Sequence, residues 1–259
     1  MVSWSGHILP IAATIAIWFF ATGFVAWIDN RDRGTFARSI ALAGVAAVGG
    51  LALIVFSMQL ETLAGIYAAF AGAILIWSWH EISFLTGAIT GPRRAPCPPG
   101  ARGWTRFFHA TAALIWHEVA LASTALGLIF LSWSAPNQTG AIVFALMLVM
   151  RLSTKLNIFI GVPNMSTEIL PPHLGYLKSY FGPRRYTWML AGSIAAMVAM
   201  AFWLGSIALN APLGSVEAAG ASLLFTLAAL GALEHLFLAL PFRDGALWGW
   251  ALPTRRTAN

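Results

Sequence analysis

The sequence predicts an all-α integral membrane protein, a single polytopic bundle of seven transmembrane helices. Three observations predict it. Of 259 residues, 59% are hydrophobic and only 9% charged, where soluble domains carry about 25% charged residues. The apolar runs are continuous over roughly 20 residues, enough to span a bilayer as helix, whereas a membrane barrel shows alternating segments of about ten. Finally, breaker-rich links part the runs.

The spans run approximately 7–29, 35–58, 61–89, 104–133, 138–161, 184–209 and 216–241. The first ends at "DNRDRG", and a short turn before Glu61 joins the second to the third. "GPRRAPCPPGARG" follows the third, "SAPNQTG" the fourth, "GVPNMSTEILPPHLGYLKSYFGPRR" the fifth and "NAPLGS" the sixth. The N-terminus has no basic n-region and no small-residue cleavage site, so the first span is expected to stay as an anchor. Cys97 is the single cysteine, which leaves no intrachain disulfide to form.

All 15 Lys and Arg fall on one side of this map. Arg31, Arg33 and Arg38 follow span one, and Arg93, Arg94, Arg102 and Arg106 follow span three. Arg151, Lys155, Lys178, Arg184 and Arg185 surround the link after span five, and Arg243, Arg255 and Arg256 close the chain. The opposite links carry only Glu61 and Glu217. The positive-inside rule then places the N-terminus outside and the C-terminus in the cytoplasm. The net charge of +6 is a topology signal and a contact for anionic lipid. It is not a nucleic-acid footprint, because no recognition motif accompanies it. Seven spans with an outer N-terminus is also the layout of retinal proteins, but their Schiff base needs a lysine in the last span, and Leu223 to Leu240 holds none.

Acids stand beside histidines inside three spans: "IWSWHEISF" (His80, Glu81), "LIWHEVAL" (His117, Glu118) and "GALEHLFL" (Glu234, His235). A charged carboxylate at mid-bilayer costs on the order of 2.5–3.5 kcal/mol, so such acids usually face partners and mark function. At 1.5 Å per residue His80 lies roughly 13 Å from the cytoplasmic end of its span, His235 roughly 9 Å, and His117 roughly 20 Å in, near the middle. His109 lies nearer the surface, and the third cytoplasmic link adds Glu168 and His173. His7, at the outer end, stands apart.

Three readings of this cluster stand side by side. In the first, His80, Glu81, His109, His117, Glu118, Glu168, His173, Glu234 and His235 supply a mixed imidazole–carboxylate site for Fe, Zn or Mn. Neither Glu-x-x-His nor His-Glu-x-x-His spacing accompanies it. In the second, one or two of His117, His235, His80 and His109 ligate a tetrapyrrole axially. Ala113 and Gly231, each four residues before a histidine, leave room for a flat ring, and Trp79 and Trp116 either stack on it or fill space. In the third, the pairs hold helices together.

"AGVAAVGG" (Ala43 to Gly50) reads as a helix-contact face. Trp133, Trp203, Trp248 and Trp250 read as interfacial anchors, and Arg151 and Lys155 as snorkelling to the interface, with pairing to Glu168 as a second role. The link from Gly161 to Arg185 is long enough to be functional. Its "NMSTEILPPHLGYLKSYF" is expected to form a short helix on the membrane, then a Pro-Pro break, capping the cluster with Glu168 and His173.

The seven-span layout, the paired "WHE" motifs and "KLNIFIGVPNMSTEILPPHLGYLKSYF" together resemble the PuhE family over nearly the whole chain. These are photosynthetic-complex assembly proteins encoded with the reaction-centre H subunit of purple phototrophic bacteria. The resemblance implies a factor that modulates bacteriochlorophyll production or delivery, with photosynthetic-complex or bacteriochlorophyll-synthesis proteins as partners. It transfers no catalytic residues. The alternative from the residues alone is a membrane-embedded His/Glu metalloenzyme acting on a tetrapyrrole or isoprenoid substrate.

Overall fold

The computed structural model describes residues 1–165, 170–242 and 247–251. Among them all regular structure is helical, and seven helices are long and apolar enough to cross a membrane. They are α1 (Leu9–Asp29), α2 (Phe36–Ser57), α3 (Leu63–Leu85), α4 (Gly103–Leu131), α5 (Thr139–Ile160), α6 (Trp188–Asn210) and α7 (Val216–Ala239). A single π-helical turn, Trp4–Ile8, precedes α1, and 3-10 helices occupy Arg33–Thr35 and Pro172–Tyr180.

Hydroxyl side chains start several helices by taking up amide protons that no earlier turn can accept. Thr62 caps α3, Thr187 caps α6 and Ser215 caps α7, each accepting from the amide three residues on. At the other end of α5, Gly161 has φ +131°, a left-handed value suited to glycine.

The helices alternate in direction, so α1, α3, α5 and α7 run parallel. These four surround the centre of the bundle, and α2 packs on α3, α4 on α5 and α6 on α7. The small-residue stretch of α2 does make a helix contact: a Cβ on Gly50 would meet the Gly72 carbonyl at 2.6 Å, and one on Gly72 the Gly50 carbonyl at 2.5 Å. The π turn is pinned to the far end of the bundle. Ser222 donates to the Gly6 carbonyl (2.8 Å) and buried His7 to the Ala208 carbonyl (2.9 Å). His7 is thus a structural residue, well away from the other histidines.

Three segments at the basic end differ from the sequence expectation. The third span ends at Leu85, not at residue 89, because Thr86 to Arg93 folds back along α4. The Thr90 carbonyl takes the His117 amide (3.1 Å), and the Arg93 amide takes the Ala112 carbonyl (3.1 Å). Gly91 makes this approach possible, since a Cβ there would lie 2.2 Å from the Ala112 oxygen. In the α5–α6 link a 3-10 helix follows the Pro-Pro pair, and the expected helix before the pair falls mostly on 166–169, outside the described residues. Pro172–Tyr180 is sealed by Leu174, Leu177 and Tyr180, and its Tyr180 hydroxyl receives Arg93 Nε (2.8 Å) and donates to the Ala95 carbonyl (2.9 Å). Thirdly, Trp248 is no interfacial anchor: it is 4% exposed, donates to the Phe19 carbonyl (2.9 Å), and packs edge-on against Trp18 on α1.

Candidate functional site

Four ionisable residues of α3, α5 and α7 lie near the basic ends of their helices. Arg151 lies nine residues before the end of α5 and Lys155 five, while Glu81 lies four before the end of α3 and Glu234 five before the end of α7. Both basic residues turn inward and do not snorkel. Arg151 Nη2 meets Glu81 Oε2 at 2.8 Å, and Lys155 Nζ meets Glu118 Oε1 at 2.5 Å. A carboxylate here would otherwise face low dielectric, and a paired cation offsets that penalty. The C-termini of four parallel helices, each with a partial negative charge of about one half, converge on the same layer and further favour the two cations.

The three acid–histidine pairs are split between different partners. Adjacent helical residues point about 100° apart, and none of the three histidines hydrogen-bonds to its neighbouring acid. His80 is buried and meets Thr124 Oγ1 on α4 at 3.0 Å. His235 is fully enclosed, donating from Nδ1 to the Gly231 carbonyl (2.7 Å) and accepting at Nε2 from Ser153 Oγ (2.9 Å). Both its nitrogens are occupied, and the space over Gly231 is taken by Met150, whose Sδ would lie 2.3 Å from an added Cβ. His117 is fully buried with no hydrogen-bond partner on either ring nitrogen; its ring stacks on Phe84, centroids 4.5 Å apart. Phe84 also has Lys155 Nζ 5.2 Å from its centroid. Since Phe84 is one residue from the end of α3, His117 lies in the same layer as the ion pairs. The folded-back link runs beside this part of α4, at Ala112 and His117.

The remaining expected residues spread out. His109 is half-buried on α4. His173 donates to the Leu85 carbonyl (2.7 Å), so the link does cap α3. Glu168 lies outside the described residues. Trp79 packs on Gly44 of α2, and Trp116 is 57% exposed on the outside of α4. Trp18 Nε1 donates to Glu234 Oε1 at 3.2 Å. Among the described residues no group of three or more His, Cys, Asp or Glu side chains is placed to hold a metal ion.

The polar layer borders a partly open central cavity of about 440 Å³, lined mainly by α1, α3, α5 and α7. Residues of the α5–α6 link, among them Leu170, Leu177 and Tyr180, close its basic end. Its walls are mostly apolar and rich in aromatic rings. Glu81, Arg151, Lys155 and Glu234 are its charged lining among the described residues, and no histidine is among them. Sequence reasoning missed the inward turn of Arg151 and Lys155, and it missed Trp77, which faces the cavity where Trp79 does not. It also missed Asp29, placed in a link from its sequence but 3% exposed, with both carboxyl oxygens lacking a hydrogen-bond partner. The one-turn spacing of Arg151 and Lys155, matched in sign to Glu81 and Glu118, was the available signal.

Fold and site together define a multi-pass helical membrane protein with an ion-paired layer beside an interior cavity. The chain belongs to the family described as "Protein of unknown function (DUF3623)", which matches residues 4–259. It is 35% identical over 251 residues to the "Uncharacterized 30.4 kDa protein in puhA 5'region" of Rhodobacter capsulatus, across 95% of this chain and 91% of that relative. No solved structure matches it.

Proposed function

We propose that this protein is an assembly or regulatory factor for the bacterial photosynthetic apparatus, acting within the cytoplasmic membrane on bacteriochlorophyll production or delivery. The observation that carries this reading is the Rhodobacter capsulatus relative, whose printed name places it in the puhA 5' region. The resemblance to photosynthetic-complex assembly proteins points the same way. The site is compatible with a factor that holds or hands over a molecule: Arg151 and Lys155 are each held by a carboxylate, Glu81 and Glu118. In this reading the basic end, with the α5–α6 link, faces the cytoplasm, and the partners are proteins of the photosynthetic complexes or of bacteriochlorophyll synthesis.

The test is deletion of the relative's gene in Rhodobacter capsulatus, followed by a shift from aerobic to phototrophic growth. Slower accumulation of bacteriochlorophyll or of pigment–protein complexes is expected, with restoration by this chain. Unchanged pigment and unchanged assembly kinetics would remove the proposal.

A further inference from the structure

We propose that the central cavity binds one lipid-soluble molecule with a flat conjugated ring, whose carbonyl oxygen accepts hydrogen bonds from Arg151 and Lys155. This site is a separate matter from the assembly role, since it follows from cavity shape and donor chemistry alone.

Protein interiors hold few voids larger than a water molecule. A volume of about 440 Å³ falls in the range of small-molecule sites, which are apolar with a few placed polar groups. The long apolar part of the wall favours an apolar guest, while the polar end suits a group that accepts hydrogen bonds. The wall composition narrows the guest. Trp18, Trp77, Phe84, Phe159, Phe237 and Trp248 present rings from five different segments, and rings bind other flat π-systems in stacked or edge-on contact.

The polar end narrows it further. Arg151 carries five N–H donors and Lys155 three, and each gives one to its carboxylate partner. Arg151 Nε is buried with no hydrogen-bond partner. Both side chains line the cavity, so this end is rich in donors. A ligand carboxylate would compete with Glu81 and Glu118 for the same two cations. An uncharged carbonyl adds an acceptor without adding charge. Two sources share this chemistry: a membrane quinone, and a tetrapyrrole pigment or precursor bearing a ring ketone.

The experiment uses the full chain, expressed in Rhodobacter capsulatus and purified in mild detergent. Bound molecules are extracted into solvent and identified by mass spectrometry and absorption. About one conjugated ring ketone per chain is expected. A near-ultraviolet band that is lost on borohydride reduction identifies a quinone, and visible or near-infrared bands identify a pigment. Ala21→Phe fills the cavity from α1 and should lower retention about tenfold while the thermal midpoint holds or rises. The double variant Glu81→Leu with Arg151→Leu removes the donor without stranding a charge, and should also lower retention about tenfold. Folded wild-type protein that carries only phospholipid or detergent overturns the proposal, as does a folded variant that retains the ring ketone at the wild-type level. A quinone would confirm the site and leave the assembly role to the deletion phenotype, so the two readings fail independently.

Discussion

At the scale of the residue, the layer separates groups that a sequence treats alike. Glu118 and Lys155 are about one-fifth exposed and in direct contact. Removing one member strands a charge in low dielectric, while replacing both with apolar groups of similar volume is often neutral. Lys155→Met should therefore lose about 3 kcal/mol of stability, and the double variant with Glu118→Met should recover most of it. Denaturation midpoints of the wild type and the two variants in detergent check this. The histidines divide in the same way. His117 makes no side-chain hydrogen bond, whereas His235 makes two. His117→Phe should cost less than about 1.5 kcal/mol as a packing change. His235→Phe strands the Ser153 hydroxyl and should cost about 1–3 kcal/mol more than that. Equal losses in a parallel unfolding titration would show that the two rings are not distinguished by hydrogen bonding.

At the scale of the element, the decisive feature is backbone entering the bundle beside α4. Irregular backbone at membrane depth is tolerated only where protein satisfies it, and here Thr90 and Arg93 bond directly to the α4 backbone. Glycine at position 91 is required by space. Gly91→Ala places a methyl group 2.2 Å from a backbone oxygen, and overpacking of this kind costs about 1–3 kcal/mol. Gly127, on the same helix, has nothing within 4 Å of its Cβ position. Gly127→Ala should be neutral or stabilising by about 0.5–1 kcal/mol, through helix propensity alone. Membrane accumulation and thermal midpoints of the two alanine variants should move in opposite directions.

At the scale of the whole molecule, four parallel helices form the inner wall and the other three pack outside it. One end carries the basic links, so a single chemical probe reads the orientation. Cys97 is the only cysteine and lies at that end. In intact cells a membrane-impermeant maleimide should leave Cys97 unlabelled until the membrane is opened. A Gln138→Cys variant in a Cys97→Ser background should label at once. The reverse pattern would invert the topology and move the ion-paired layer to the periplasmic half.

The sequence by itself determined the membrane class, the number of spans and their limits to within a few residues. Length and apolarity set these, and both are local properties that survive without knowledge of neighbours. It also flagged His80, Glu81, His117, Glu118, Glu234 and His235, because polar groups in lipid are costly wherever they point. It did not determine their partners. A hydrogen bond or ion pair between helices depends on the rotation of each helix about its axis, and hydrophobic residues on all sides leave that rotation unmarked. Tertiary structure alone therefore decided that Arg151 and Lys155 turn inward to the two glutamates. It alone decided that Trp77 and not Trp79 faces the cavity, and that His117 stacks on Phe84 beside a folded-back link.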